Sequence, residues 1–268
     1  MTNKTPDIGV YLDVPAVDYH SWKLASYSSL NLLAKSPAHL AYVRENPDVQ
    51  TPAQVVGEAI HMAVLQPLLF PLRFLISPAM TKASKVYKDL VAENPGLTVL
   101  THDEAVHIEK VATAVRAHPT VSKLLSHPNG IEVSGVFELA GVRCKMRCDL
   151  INERFSTVLD LKTTTDASEK AFLRSIVNYG YHRQAAMYLD GGAALGKPYQ
   201  HFLIISIEKE PPHGIALYRL SNAFIEQGRK ELRQLLTTYA DCEKSDKWPS
   251  YPATVTELNP PKWLREAA

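Results

Sequence analysis

The spacing of apolar residues changes twice along this chain and divides it into three stretches. Over residues 1–100 the pattern is helical and interrupted by prolines. Ser36-Pro37 predicts the start of a short helix, with proline at its first position. Thr51-Pro52-Ala53-Gln54 predicts a stronger start. Thr51 can cap, Pro52 suits the first turn, and Gln54 closes a capping box three residues on. That helix carries Gly57, Ala59, Ile60, His61 and Val64 and stops near Pro67. A second capping box, Thr101-His102-Asp103-Glu104, opens a helix bearing Val106, Val111 and Val115.

Residues 131–164 alternate with period two, which predicts strands, with a hairpin turn at Ala140-Gly141. After the turn, Val142, Cys144, Met146, Cys148 and Leu150 share one face, and Arg143, Lys145, Arg147 and Asp149 share the other. Thr157 to Thr164 reads as a core strand. Helical spacing returns at about 168–178 and 181–195, and strands at about 199–208 and 214–220. Ser221 then caps a long amphipathic helix with Phe224, Ile225, Leu232, Leu235 and Tyr239. This order predicts an α/β fold, a central mixed β-sheet flanked by helices. We expect one domain over residues 1–268, mainly helical to residue 130, with the sheet core over 131–243. An irregular tail with Pro249, Pro252, Pro260 and Pro261 is expected over 244–268.

Composition narrows the function only slightly. The 268 residues are 46% hydrophobic, enough for a large core. Lys and Arg total 29 against 28 Asp and Glu, a net charge of +1, so any nucleic-acid surface must come from clustering rather than from the sum. The three cysteines do not make a disulfide framework. Cys144 and Cys148 lack the CxxC or HxxxH partner of a zinc site. The first residues show no charged region followed by an apolar run, and no run of about 18 apolar residues occurs, so we expect a cytoplasmic protein without a membrane span.

Five features carry chemistry together. Asp160 and Lys162, two apart on a strand, point to one side and can hold a divalent cation and orient a water. Alone, D-x-K also describes an exposed strand pair. Asp149 lies on the charged face of the preceding strand. Two carboxylates brought together repel unless a cation sits between them, and hard oxygen ligands suit Mg²⁺ or Mn²⁺. His61 follows Gly57 by four on a helix, where the glycine permits close packing. Gln184 and Tyr188 share a helix face and can line a site. Arg143, Lys145 and Arg147 form a row leading to Asp149 that could guide a phosphodiester, or could be a solvated strand face.

In that order, G-x-x-x-H, D, D-x-K and Q-x-x-x-Y, the chain resembles the RecB-like branch of the PD-(D/E)xK nuclease superfamily. Within the branch it is similar to the RecE-type exonucleases. Tyr27-Ser28-Ser29-Leu30, Ser36-Pro37-Ala38-His39 and the Thr51–Pro67 helix support that choice. The resemblance spans about residues 25–240. It implies a metal held by His61, Asp149, Asp160 and the Leu161 carbonyl, with Glu138 as a further acidic candidate. It implies that Lys162 positions the attacking water, with Gln184 and Tyr188 beside it. DNA contacts are expected from Ser28, Ser29, Arg143, Lys145 and Arg147. The implied activity is Mg²⁺-dependent 5′ to 3′ degradation of linear double-stranded DNA. A ring-shaped homo-oligomer, a tetramer, and a RecT-like annealing partner follow by the same analogy. The iron–sulfur members need four cysteines around the core, which this chain lacks.

Overall fold

The computed structural model describes residues 5–46, 50–126 and 130–259. Pro260 and Pro261 of the expected tail lie outside them. The elements run β1 (Gly9–Tyr11), α1 (Ala16–Ser21), α2 (Tyr27–Leu33), α3 (Pro37–Glu45), α4 (Pro52–Leu65), β2 (Phe74–Ile76), α5 (Lys85–Glu93), β3 (Thr98–Leu100), α6 (His102–Ala117) and α7 (Pro119–Leu125). They continue with β4 (Gly130–Leu139), β5 (Val142–Asn152), β6 (Thr157–Thr164), α8 (Glu169–Tyr179), α9 (Tyr181–Ala194), β7 (His201–Glu208), β8 (Ile215–Arg219) and α10 (Asn222–Ser245).

Both predicted capping boxes form: Thr51 with Gln54 opens α4, and Thr101 with Glu104 opens α6. Ser36 precedes α3 without capping it, because its hydroxyl meets His39 Nδ1 at 2.7 Å instead. The turn at Ala140-Gly141 has φ of +49° and +76°, the two positive values that a tight hairpin turn between right-twisted strands requires.

Six strands form one sheet in the order β1-β4-β5-β6-β7-β8, antiparallel except for the β6–β7 pair. The helical first hundred residues therefore also contain strands. β1 lies at the edge of the main sheet, and β2 pairs with β3 in a small parallel sheet. At three residues each, these strands are too short to show a period.

Each face of the main sheet carries its own core. On one, Val133, Phe137, Cys144, Cys148, Val158 and Ile204 pack with α2, α8, α9 and α10. On the other, Leu150, Leu159, Leu161 and Ile205 pack with α4 and α6. α9 and α10 approach closely at Gly228, where an added Cβ would stand 2.2 Å from the His182 carbonyl oxygen.

The expected single face from Val142 to Leu150 does not hold. Cys144, Met146 and Cys148 enter the first core, whereas Leu150 enters the second. The opposite strand shifts in step: Val133 lies in the first core and Ile131 packs on the second. The shift falls at Glu132 and Asp149. The register on either side places them opposite each other, yet that pair makes no ladder bridge, and Glu132 takes a left-handed φ of +53°.

Candidate active site

β5 and β6 are hydrogen-bonded only at Leu150–Leu159, Ile151–Val158 and Asn152–Thr157. Beyond Leu150 they splay. The edge of β5 opened by the splay is filled in two ways. The N-terminal segment enters it, with Ala25 N–H bonded to the Arg143 carbonyl and Lys145 N–H to the Ala25 carbonyl. Nearer the fork, Asp149 supplies its own carboxylate: Oδ2 accepts the Leu161 N–H at 2.7 Å. A ladder bond that the strands no longer make is thus replaced by a side chain, which fixes Asp149 beside β6.

The other site groups reach the fork from both layers. His61, on α4, brings Nδ1 to 3.4 Å from Asp149 Oδ2. Asp160 is buried on β6. Its Oδ1 accepts the Gln184 amide of α9 at 2.6 Å, and its Oδ2 lies 2.5 Å from Lys162 Nζ. Oδ2 is buried, with the Lys162 ammonium as its charge partner. The two residues of the D-x-K motif point to one side, as their spacing predicts.

Burial and the close charges set the electrostatics of the site together. Burial raises the Asp160 carboxyl, Lys162 opposes the rise, and the Asp149 charge adds to it. Burial alone would lower the Lys162 ammonium, but the Asp160 and Asp149 carboxylates outweigh it and hold its pKa above the ordinary value. Glu132, opposite Asp149, is pushed up to about 8 by burial and then by the Asp149 charge, with Arg147 opposing. This third acid was missed in the sequence, although the signal was available: counting back through a two-residue hairpin turn places residue 132 opposite Asp149.

Several expectations need correction. Glu138 is exposed beside the hairpin turn, opposite Arg143 and about 20 Å along the strand from Glu132 at ~3.3 Å per residue, so it does not join the carboxylates. The cationic row does not face solvent as a unit. Lys145 is buried, and its ammonium donates to the Tyr19 and Trp22 carbonyls at 2.7 and 2.8 Å. Arg147 donates to Ser134 Oγ and the Val14 carbonyl and lies 4.3 Å from the Tyr19 ring centre. Of the three, only Arg143 is exposed, and it too bonds a carbonyl, that of Pro6. These cations hold the N-terminal segment, whose carbonyls at the end of α1 carry partial negative charge.

Ser29 exchanges hydrogen bonds with Ser26 to cap α2, while Ser28 is exposed on the first turn. Tyr188, one turn beyond Gln184, is buried in the core against Phe202, so of that pair only Gln184 touches the carboxylate. Gly57 is not required by packing, since a Cβ there would stand in ordinary contact, 3.6 Å from Thr163 Oγ1.

Among the described residues, no three His, Cys, Asp or Glu side chains already converge at ligating separation. His61 and Asp149 face each other instead, while Asp160 is held by Gln184 and Lys162. Their chemistry nonetheless fits a hard divalent cation: two carboxylates, that of Asp160 buried, beside one imidazole.

The sequence matches the PDDEXK-like domain of unknown function (DUF3799) over residues 26–257. The chain belongs to this family. Its fold is shared with the crystal structure of a "putative exonuclease" from Eubacterium rectale, at 13% identity and a TM-score of 0.68, covering 96% of this chain and 99% of that one. A phage-related exonuclease from Haemophilus somnus 129PT aligns at 11% identity over 84% of this chain and 96% of that one, with a TM-score of 0.38, too low to bear on the argument. No curated protein matches the chain. No described helix is long and apolar enough to cross a membrane.

Proposed function

We propose that this PDDEXK-like chain is a metal-dependent DNA exonuclease. The observation that carries the proposal is the meeting of Asp149, Asp160 and Lys162 at the fork between β5 and β6, with His61 closing it from α4. Asp149, Asp160, His61 and the Leu161 carbonyl would hold Mg²⁺, with Mn²⁺ as a substitute. When bound, the cation supplies a low-pKa water and neutralises charge developing on the phosphoryl oxygens. Lys162 reaches the same point as an ammonium on a flexible four-carbon stem and orients the attacking water. Gln184 fixes Asp160 by its hydrogen bond to Oδ1, and Oδ2, now paired with Lys162, is the oxygen that would turn to the cation. The cationic row gives no phosphate contact at the fork, since Lys145 and Arg147 are committed to backbone carbonyls and Arg143, bonded to the Pro6 carbonyl, lies at the hairpin end of β5.

The test is digestion of end-labelled linear duplex beside a nick-free circular plasmid, with Mg²⁺ or with EDTA. The expected result is label release from the linear DNA alone, and only with Mg²⁺. Cutting of the circle would make the protein an endonuclease, and intact DNA in every lane would overturn the proposal. By the sequence resemblance, digestion runs 5′ to 3′, subunits close a ring of four, and a RecT-like annealing protein takes the single strand. Labels on either strand, light-scattering mass and co-purification check these in turn. In such a ring each subunit contributes one exposed cation of the row, not three.

A further inference from the structure

Beside the fork lies a pile of aromatic rings that the proposed chemistry does not use. Lys162 Nζ stands 5.0 Å from the centre of the Tyr181 ring. Tyr181 stacks on Tyr179, with centroids 5.6 Å apart and planes at 26°. On its other side Tyr181 meets Phe172 at 6.1 Å, and Phe172 stacks on Tyr218 at 5.1 Å and 14°. The pile therefore runs from the buried core out to Tyr179, which is 57% exposed.

Tyr179 is held where it is by backbone, not by its phenol. It ends α8, followed by Gly180 in the left-handed conformation at φ +72°, which turns the chain into α9. Its carbonyl accepts the Tyr27 hydroxyl from the start of α2. A large aromatic ring fixed in position, backed by a second ring and exposed to solvent is the arrangement on which an unpaired base stacks, because every base presents a π face. The reach also fits. Two contacts of 5.0 and 5.6 Å separate Lys162 from Tyr179, a few nucleotide steps at about 3.4 Å each.

We propose that Tyr179, backed by Tyr181, is a stacking platform for an unpaired nucleobase a few nucleotides from the phosphodiester at the fork. The proposal rests on the nuclease reading and adds the chemical class gripped beside the site: a frayed or single-stranded DNA end rather than paired duplex.

The experiment places 2-aminopurine, whose fluorescence falls when it stacks, at the last nucleotides of a frayed-end duplex. Binding is read in the Asp160→Asn protein so that the DNA stays intact. The expected result is quenching on binding, with Tyr179→Ala in that background losing the quench and about 10-fold in affinity for the frayed end. Tyr179→Phe and Tyr179→Trp should keep both. Quenching and affinity unchanged in Tyr179→Ala, or lost equally in Tyr179→Phe, would overturn the platform. Wild-type digestion is scored separately. Tyr179-dependent quenching in a protein that never cuts DNA keeps the platform and removes the nuclease reading. Cutting without that quenching does the reverse.

Discussion

Two lysines on neighbouring strands meet burial in opposite ways. Lys145 on β5 is buried against the neutral carbonyls of Tyr19 and Trp22, and burial, with Arg147 adding to it, lowers its pKa to about 8. Lys162 on β6 is half-buried beside the carboxylates of Asp160 and Asp149, and they more than reverse the cost of its burial. The first is a clamp that ties down a chain segment. The second is a charge balanced by charges that a cation or phosphate can re-partition. Composition and spacing do not separate the two roles. The partner's chemistry does, and the partner is set by the fold.

The sharpest way to break this comparison is to remove charge at the fork. Asp160→Asn should reduce Mg²⁺-dependent cleavage by about 1000-fold or more. Melting in EDTA should hold or rise, because one of two facing carboxylates is gone. Full activity in the purified variant would end the assignment. Lys162→Ala should lower turnover by about 100-fold while metal affinity, read by titration calorimetry, changes far less. Loss of metal binding as complete as in Asp160→Asn would make Lys162 a structural group like Lys145.

The converse test is Lys145→Met. It leaves two carbonyls without their shared donor, and should destabilise the protein by about 2–3 kcal/mol, or roughly 5–10 °C in Tm. Cleavage per folded molecule should stay at the wild-type level. A large loss of DNA affinity without a loss of stability would restore Lys145 to the phosphate row.

The sequence carried more of the site than of its surroundings. Asp160 and Lys162 are legible because a strand's period is two, and their contact follows from that alone. Asp149 is legible because its strand pairs with β6. The phase shift beside it is not, since it depends on a glutamate in left-handed backbone, which no residue type at that position announces. The fate of the cationic row was hidden for a different reason. Its partners, Pro6, Val14, Tyr19 and Trp22, lie more than a hundred residues earlier and act through backbone carbonyls, which every residue possesses.

The smallest effect, and the finest probe of the fork, concerns Glu132. Its carboxyl titrates at about 8 in the folded protein, against an ordinary value near 4.5. Between those values the folded state holds a proton that the unfolded state has released. Metal-free stability should therefore fall as pH rises from about 5 to 8. A tenfold change in proton affinity is about 1.4 kcal/mol, and the effect is screened at a partly exposed side chain, so about 1–2 kcal/mol should be recoverable. Glu132→Gln removes that charge. In EDTA it should melt a few degrees above wild type at pH 8 and level with it at pH 5. Mg²⁺ should narrow the gap at pH 8, since a bound cation would offset the Asp149 charge that adds to burial in raising the carboxyl. Parallel melting curves across the range would show that Glu132 does not feel the fork, and that the strand kink at this residue is a matter of backbone alone.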